Sequence, residues 1–297
     1  MSLPRSPFPI RDAEAQADRF ARRLVAQPMP TAVGSLSAQA FSQASAVLFL
    51  LTAGGTVDRG RSPSTADRPN GGVHLILNKR SPAVRQAGDL CCPGGSVSPL
   101  VDRFLSALLR LPGSPLATWP RWRAWRRRQP AMARRMALLF GTALREGVEE
   151  MGLNPLRLRL LGPLPVERLV VFRKEIYPFV VWLNGQRRFR LNWEVANLVY
   201  LPLEKLLNPG NYARLHYRFR TADARLPRGT VGRMPCYLHR QSAGSGCEVL
   251  WGATFRITMA FLRQTFDFRP PAIERLPVVE RELDDAYVNG HEGGKLV

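Results

Sequence analysis

The tightest constraint on this 297-residue chain is one segment, MALLFGTALREGVEEMGL (136–153). At about 100° per residue, Met136, Phe140, Leu144, Val148 and Met151 line one broad side of a helix. Glu146, Glu149 and Glu150 gather on the other side, within an arc of about 100°. Gly152 and Pro155 help to stop the helix. Glu146 meets Glu149 at i,i+3 and Glu150 at i,i+4, where like charges repel by about a few tenths of a kcal/mol per pair. Near a helix C-terminus, carboxylates also oppose the macrodipole. Two local rules are broken in one place, and such breaches concentrate at functional sites. A solvated acidic face is the common outcome of a cluster like this. The other is a hard divalent cation, which takes oxygen ligands and bridges carboxylates to phosphates.

Strand-like segments surround this helix. SAVLFLLT (45–52) is short, apolar and bounded by turn residues, as a buried strand is. VHLILNKRS (73–81) puts Val73, Leu75 and Leu77 on one face, and the polar 53–72 between them suggests a hairpin with an inserted tip. Further strands are expected at 158–164, 167–173 and 178–183, a strand with a short helix at 194–207, and a strand running into a helix at 247–266. Residues 12–26 suit a short amphipathic helix that Asp12 caps, with Phe20 and Leu24 on its apolar side. Residues 1–44 are thus a helical extension, 45–268 the main domain, and 269–297 a flexible tail.

The formal charge of +20 favours anionic partners: nucleic acid, anionic lipid or a phosphorylated small molecule. Nucleotide bias in the coding DNA is the other source of an arginine excess. The charge is densest at about 97–135, which holds nine Arg against one Asp, together with Trp119, Trp122 and Trp125. A solvated helical hairpin with its Trp packed on the core is the leading expectation there. Behind it come a lid over an anionic substrate, an interfacial membrane element, and a nucleic-acid surface of Arg and stacking aromatics. No apolar run approaches the ~20 residues of a spanning helix, and no basic-then-apolar secretory leader is evident, so a cytoplasmic location is expected. Four Cys without metal spacing suit a reducing compartment. His74, His216, His239 and His291 show no paired metal spacing, and Trp251 is expected in the core.

The stretch R-E-G-V-E-E-M-G-L resembles the second half of the Nudix box, G-x5-E-x7-R-E-U-x-E-E-x-G-U with U aliphatic. Arg145, Glu146, Glu149, Glu150, Gly152 and Leu153 match, and Gly95 would be the opening Gly. LNKRSPAVRQAGDLCCPGG also looks like the signature of the coenzyme A pyrophosphatase branch, through Arg80, Ser81, Arg85, Gly88, Pro93, Gly94 and Gly95. Segments 177–183, 194–207 and 250–262 are similar to that branch too. The resemblance covers roughly 45–266 and implies an α/β fold of the Nudix type. It would have a mixed sheet sandwiched between helices and an Arg/Trp-rich helical insertion inside the box.

Four positions depart from the pattern. Gly95 and Arg145 lie 50 residues apart, far more than the box allows, so the Arg/Trp block enters as an insertion. The first box Glu has no counterpart; Asp102 is the nearest acid, without a settled place. Gly147 replaces an aliphatic residue, and the branch's Glu and Phe before the turn become Asp89 and Cys92.

The resemblance implies hydrolysis of X–P–O–P–Y with Mg2+ or Mn2+. Glu146, Glu149, Glu150 and a Gly95 carbonyl would hold metal, one Glu doubling as general base. Arg145 would hold a Glu in position, and Arg80, Ser81, Arg85, Gly94 and Gly95 would bind substrate. A coenzyme A-like or related nucleoside diphosphate derivative is the expected small-molecule substrate, and a homodimer is left open. The alternative is a catalytically degenerate nucleotide-binding or regulatory protein of the same fold.

Overall fold

The computed structural model describes residues 13–25, 44–54, 72–169, 174–220, 231–240, 246–284 and 287. Asp12, most of the polar tip between the first two strands, residues 170–173, His291 and residues 288–297 lie outside them.

The main sheet is built on β1 (Ala44–Ala53), whose side chains alternate between two cores. Val47, Phe49 and Leu51 enter one; Ala44, Ala46, Leu48 and Leu50 enter the other. Both faces are covered, which is why the strand is apolar throughout instead of alternating with polar residues. β2 (Val73–Arg80) pairs antiparallel with β1, closing the expected hairpin. β3 (Leu90–Cys91) and β4 (Gly94–Ser96) flank the Pro93 turn, and β4 pairs antiparallel with β1.

Two helices of the arginine-rich block follow, α2 (Pro99–Leu108) and α3 (Trp122–Arg128); α1 is Ala13–Val25. The long helix α4 spans Pro130–Met151. β5 (Leu158–Pro163) and β6 (Glu167–Leu169) both pair antiparallel with β7 (Lys174–Leu183). β7 itself runs parallel to β1. β8 (Val195–Pro202) pairs antiparallel with β2, which makes the sheet mixed, with strand order β3-β2-β1-β7-β5 along its main path. A short α5 (Leu203–Leu206) follows.

α1 and the later helix α6 (Gly252–Phe266) cover one face, where Phe20 packs edge-on against Phe261 at 5.6 Å. α4 and the tryptophans cover the other. The mixed sheet between helices is as expected. All three tryptophans are buried: Trp119 meets Trp125 edge-on at 5.9 Å, and the Trp119 indole donates to the Leu161 carbonyl at 3.3 Å.

A second sheet, β11-β10-β9-β12, was not foreseen apart from the strand expected at the start of 247–266, which is its β11. It comprises β9 (Tyr212–Phe219), β10 (Val231–Arg240), β11 (Cys247–Leu250) and β12 (Val278–Leu283). β12 falls within the stretch expected as a flexible tail. There Val279, Arg281 and Leu283 turn inward at period two, and the strand runs parallel to β9.

The candidate acidic site

α4 brings the predicted acids to the Gly94–Gly95 turn, but it does not present them as one solvated face. Its buried arc is centred near Met136, Phe140 and Gly147, and Glu150 falls within it at 8% exposure. Val148, expected on the apolar side, sits at the edge of that arc and is 42% exposed. Gly147 is buried, and a Cβ there would press on the side-chain ends of Leu153 and Leu48, so a larger aliphatic residue would have to displace them. The helix ends as foreseen: Gly152 takes a left-handed φ of 64°, and the amides of Gly152 and Leu153 donate to the Val148 and Gly147 carbonyls.

Arg145 organises the site. Its Nε donates to Asp102 Oδ1 at 2.8 Å, Nη1 to Glu149 Oε2 at 3.0 Å, and Nη2 contacts Glu146 Oε1 at 3.0 Å and the Ser96 carbonyl at 3.2 Å. One planar guanidinium thus joins three carboxylates to the turn, a geometry suited to a fixed fork of donors. Burial alone would lower its pKa; the Asp102 hydrogen bond and the charges of Glu146, Asp102 and Glu149 raise it above the usual value. Asp102 is fully buried, and its Oδ2 accepts from Thr142 Oγ1 and the Ser98 amide, each at 2.7 Å.

Asp102 thus takes a settled place that counting along the chain left open. It stands before the insertion and Arg145 after it, and close packing of α2 on α4 at Gly141 brings the two together.

Glu150 Oε2 accepts from the Gly94 amide at 3.1 Å and from Asn78 Nδ2 at 2.9 Å. Burial pushes its carboxyl up to about 8, against the pull of the Gly94 hydrogen bond, and the charges of Glu146 and Glu194 push the same way. Glu146 is also raised, first by burial, then by Glu149 and Glu194 against the pull of Arg145. Gly94 is required by its backbone: at φ 152° a Cβ would strike the Ala46 carbonyl. Gly95 is required by the site, because a Cβ would occupy the place of the Glu146 carboxylate. Asn78 and Glu194 were missed from the sequence. Glu194 is tied in through its carbonyl, which accepts from the Ser81 amide at 2.8 Å.

The other predicted residues take varied places. Arg80 donates from Nε to the Arg85 carbonyl at 2.7 Å, bracing the turn after β2. Arg85 is exposed on that turn. Ser81 is buried, and its hydroxyl accepts from the Ala83 amide at 3.2 Å, a turn-forming role. Trp251 is half-buried, and its indole donates to Asp89 Oδ1 at 3.0 Å. Arg281 also donates to Oδ1 at 2.7 Å, and the Tyr287 hydroxyl to Oδ2 at 2.6 Å.

Among the described residues, no trio of His, Cys, Asp and Glu side chains already converges on one point. The side-chain oxygens beside the turn belong to carboxylates, and burial raises Glu146 and Glu150 even against the pull of Arg145 on the first and of the Gly94 amide on the second. In chemistry that set fits a hard cation such as Mg2+ or Mn2+.

No protein-family model matches this chain, and no curated protein matches it. Among solved structures, a C. elegans Ap4A hydrolase binary complex is similar at 15% identity and a TM-score of 0.31, over 54% of this chain and 80% of that one. The NUDIX domain of Shewanella oneidensis NrtR complexed with ADP ribose gives 13% identity and a TM-score of 0.33, over 61% and 87%. A NUDIX hydrolase from Alicyclobacillus acidocaldarius gives 18% and 0.32, over 56% and 81%.

Proposed function

We propose that this chain is a divalent-metal-dependent diphosphatase of the Nudix type, acting on a coenzyme A-like or related nucleoside diphosphate derivative. The observation that carries the reading is the Arg145 clasp, which holds Glu146, Glu149 and Asp102 against the Gly94–Gly95 turn while Glu150 bonds the turn's amide. In this reading Glu146, Glu149, Glu150 and the Gly95 carbonyl hold Mg2+ or Mn2+. The cation, when bound, neutralises diphosphate charge and lowers the pKa of water. Arg145 positions the acids, and the cationic turn of Arg80 and Arg85 binds phosphate. A water oxygen bonds to one phosphorus as the bridging P–O bond breaks, giving two phosphate monoesters, and the water's proton passes to a carboxylate of the cluster.

The coenzyme A-like choice rests on the sequence signature around Arg80–Gly95. A second reading is a nucleotide-binding or regulatory protein of the same fold without turnover; what favours it is that the first box Glu has no counterpart and that Gly95 and Arg145 lie 50 residues apart. Incubation with Mg2+ or Mn2+ and a panel of coenzyme A, its acyl esters, ADP-ribose and dinucleoside polyphosphates separates the two. Phosphorylated products that vanish in Glu149→Gln and Glu150→Gln support catalysis. Tight binding without product supports the second reading.

A further inference from the structure

Helix α2 carries more apolar surface than its packing uses. At about 100° per residue, Asp102, Leu105 and Leu109 share the side facing α4, where Leu105 and Leu109 reach Gly141. A second side, centred roughly 120° away, carries Leu100, Val101, Phe104, Leu108 and Leu111 just past the helix end. These five are exposed, Leu100 at 84% and Phe104 at 66%. The third side carries Arg103 and Arg110, both exposed. A helix with apolar residues on two of three sides is normally buried; this one is covered on one. Contiguous exposed apolar surface on the order of a few hundred Å2 marks an interaction site.

We propose that α2 docks this protein onto an anionic lipid bilayer, with the Leu100–Phe104–Leu108–Leu111 stripe at the acyl boundary and the surrounding arginines among the headgroups.

Charge complementarity selects the occupant. The block from 97 to 135 contains nine arginines and a single acid, and that acid, Asp102, is buried against Arg145. Besides Arg103 on α2 and Arg110 just past its end, which border the stripe, Arg123, Arg126, Arg127 and Arg128 on α3, which packs on α4 as α2 does, are exposed. An apolar stripe bordered by cations is the composition of a helix that lies in the plane of a membrane interface. Long arginine stems allow the charges to reach headgroups while the stripe is submerged. With ten residues, α2 is too short to cross a bilayer, so its contact is to one leaflet. RNA is disfavoured because the tryptophans that would stack on bases are buried. A second copy is disfavoured because one ten-residue helix falls short of the ~800 Å2 per partner of a standard interface. The inference stands apart from the diphosphatase reading, since it uses none of the acids at the turn as ligands.

The test is cosedimentation of the full chain with vesicles of phosphatidylcholine alone and of phosphatidylcholine mixed equally with phosphatidylglycerol. The expected result is sedimentation with the mixed vesicles and little with the neutral ones. Arg103→Ala and Arg110→Ala should each weaken binding about fivefold. Phe104→Ser with Leu108→Ser should abolish it while leaving the thermal unfolding midpoint in place, and Leu100→Ser alone, at the most exposed position, should weaken it. The proposal is overturned if the chain fails to sediment with mixed vesicles, or if the Phe104/Leu108 variant binds as tightly as the parent. It is equally overturned if polyuridine RNA, or a dimer seen by size exclusion, proves to be the stripe-dependent partner instead.

Discussion

Arginine does opposite things in two adjoining parts of this molecule. At the turn, one arginine is largely buried and grips three carboxylates. On α2, just past its end and on α3, six stand exposed in a stretch whose only acid is turned away from them. The difference lies in the surroundings, because removing one partner of a buried pair strands a charge, whereas a solvated arginine keeps its water. Residue type therefore says little about energetic weight until burial and partners are known.

The largest expected effect breaks the buried side of that contrast. Arg145→Met leaves Asp102 buried without its cation and should cost about 3–5 kcal/mol in urea unfolding. A buried group among like charges sharpens it next. His74 is buried, its Nδ1 lacks a hydrogen-bond partner among the described residues, and burial, with His239 and Lys205 nearby, pushes it down to about 4 against the pull of a Gly72 backbone hydrogen bond. The unfolded chain then binds the extra proton between about pH 6.5 and 4, so stability is full above that window and falls through it by roughly 3 kcal/mol. His74→Leu should remove most of that step when unfolding is followed at pH 7 and near pH 4.

The two glycines of the turn come third. Gly94→Ala meets backbone and should cost roughly 1–3 kcal/mol. Gly95→Ala meets only the movable end of Glu146, so it should cost less than ~1 kcal/mol yet lower the proposed diphosphatase turnover by roughly a hundredfold. Parallel unfolding curves and product assays would show whether the two separate. The smallest effect belongs to the exposed side: Arg127→Ala should change unfolding by no more than ~0.5 kcal/mol.

Periodicity made some of this legible in advance and hid the rest. β2 and α4 were readable because a single repeat, two or about 3.6 residues, sorted their side chains, and β1 because it is a short apolar run bounded by turn residues. Glu150 was misplaced because the apolar side was drawn through Phe140, Leu144 and Val148, whereas the buried arc also takes in Leu139 and Ala143 beside it; its partners Asn78 and Gly94, 72 and 56 residues away, are what no local pattern carries. Motif counting reached Asp102 only as the nearest acid, since helix packing across the insertion decides its partner. β9 and β10 escaped notice because both faces are partly covered, which leaves alternation blurred in Tyr-Ala-Arg-Leu-His-Tyr-Arg-Phe. The tryptophans of the arginine-rich block went to the core, the leading of the expectations held for them.

Asp89 receives its three donors from Trp251, Arg281 and Tyr287. On a ribosome, which delivers the chain from its amino end, this carboxylate emerges long before any of them. The strands around it are therefore available early, but the turn that carries Asp89 gains its last tether only when residue 287 has cleared the exit tunnel. Chaperone contact during synthesis should fall on that turn and its unfinished neighbours, because long-range pairing of this kind is late and leaves sticky surface exposed meanwhile.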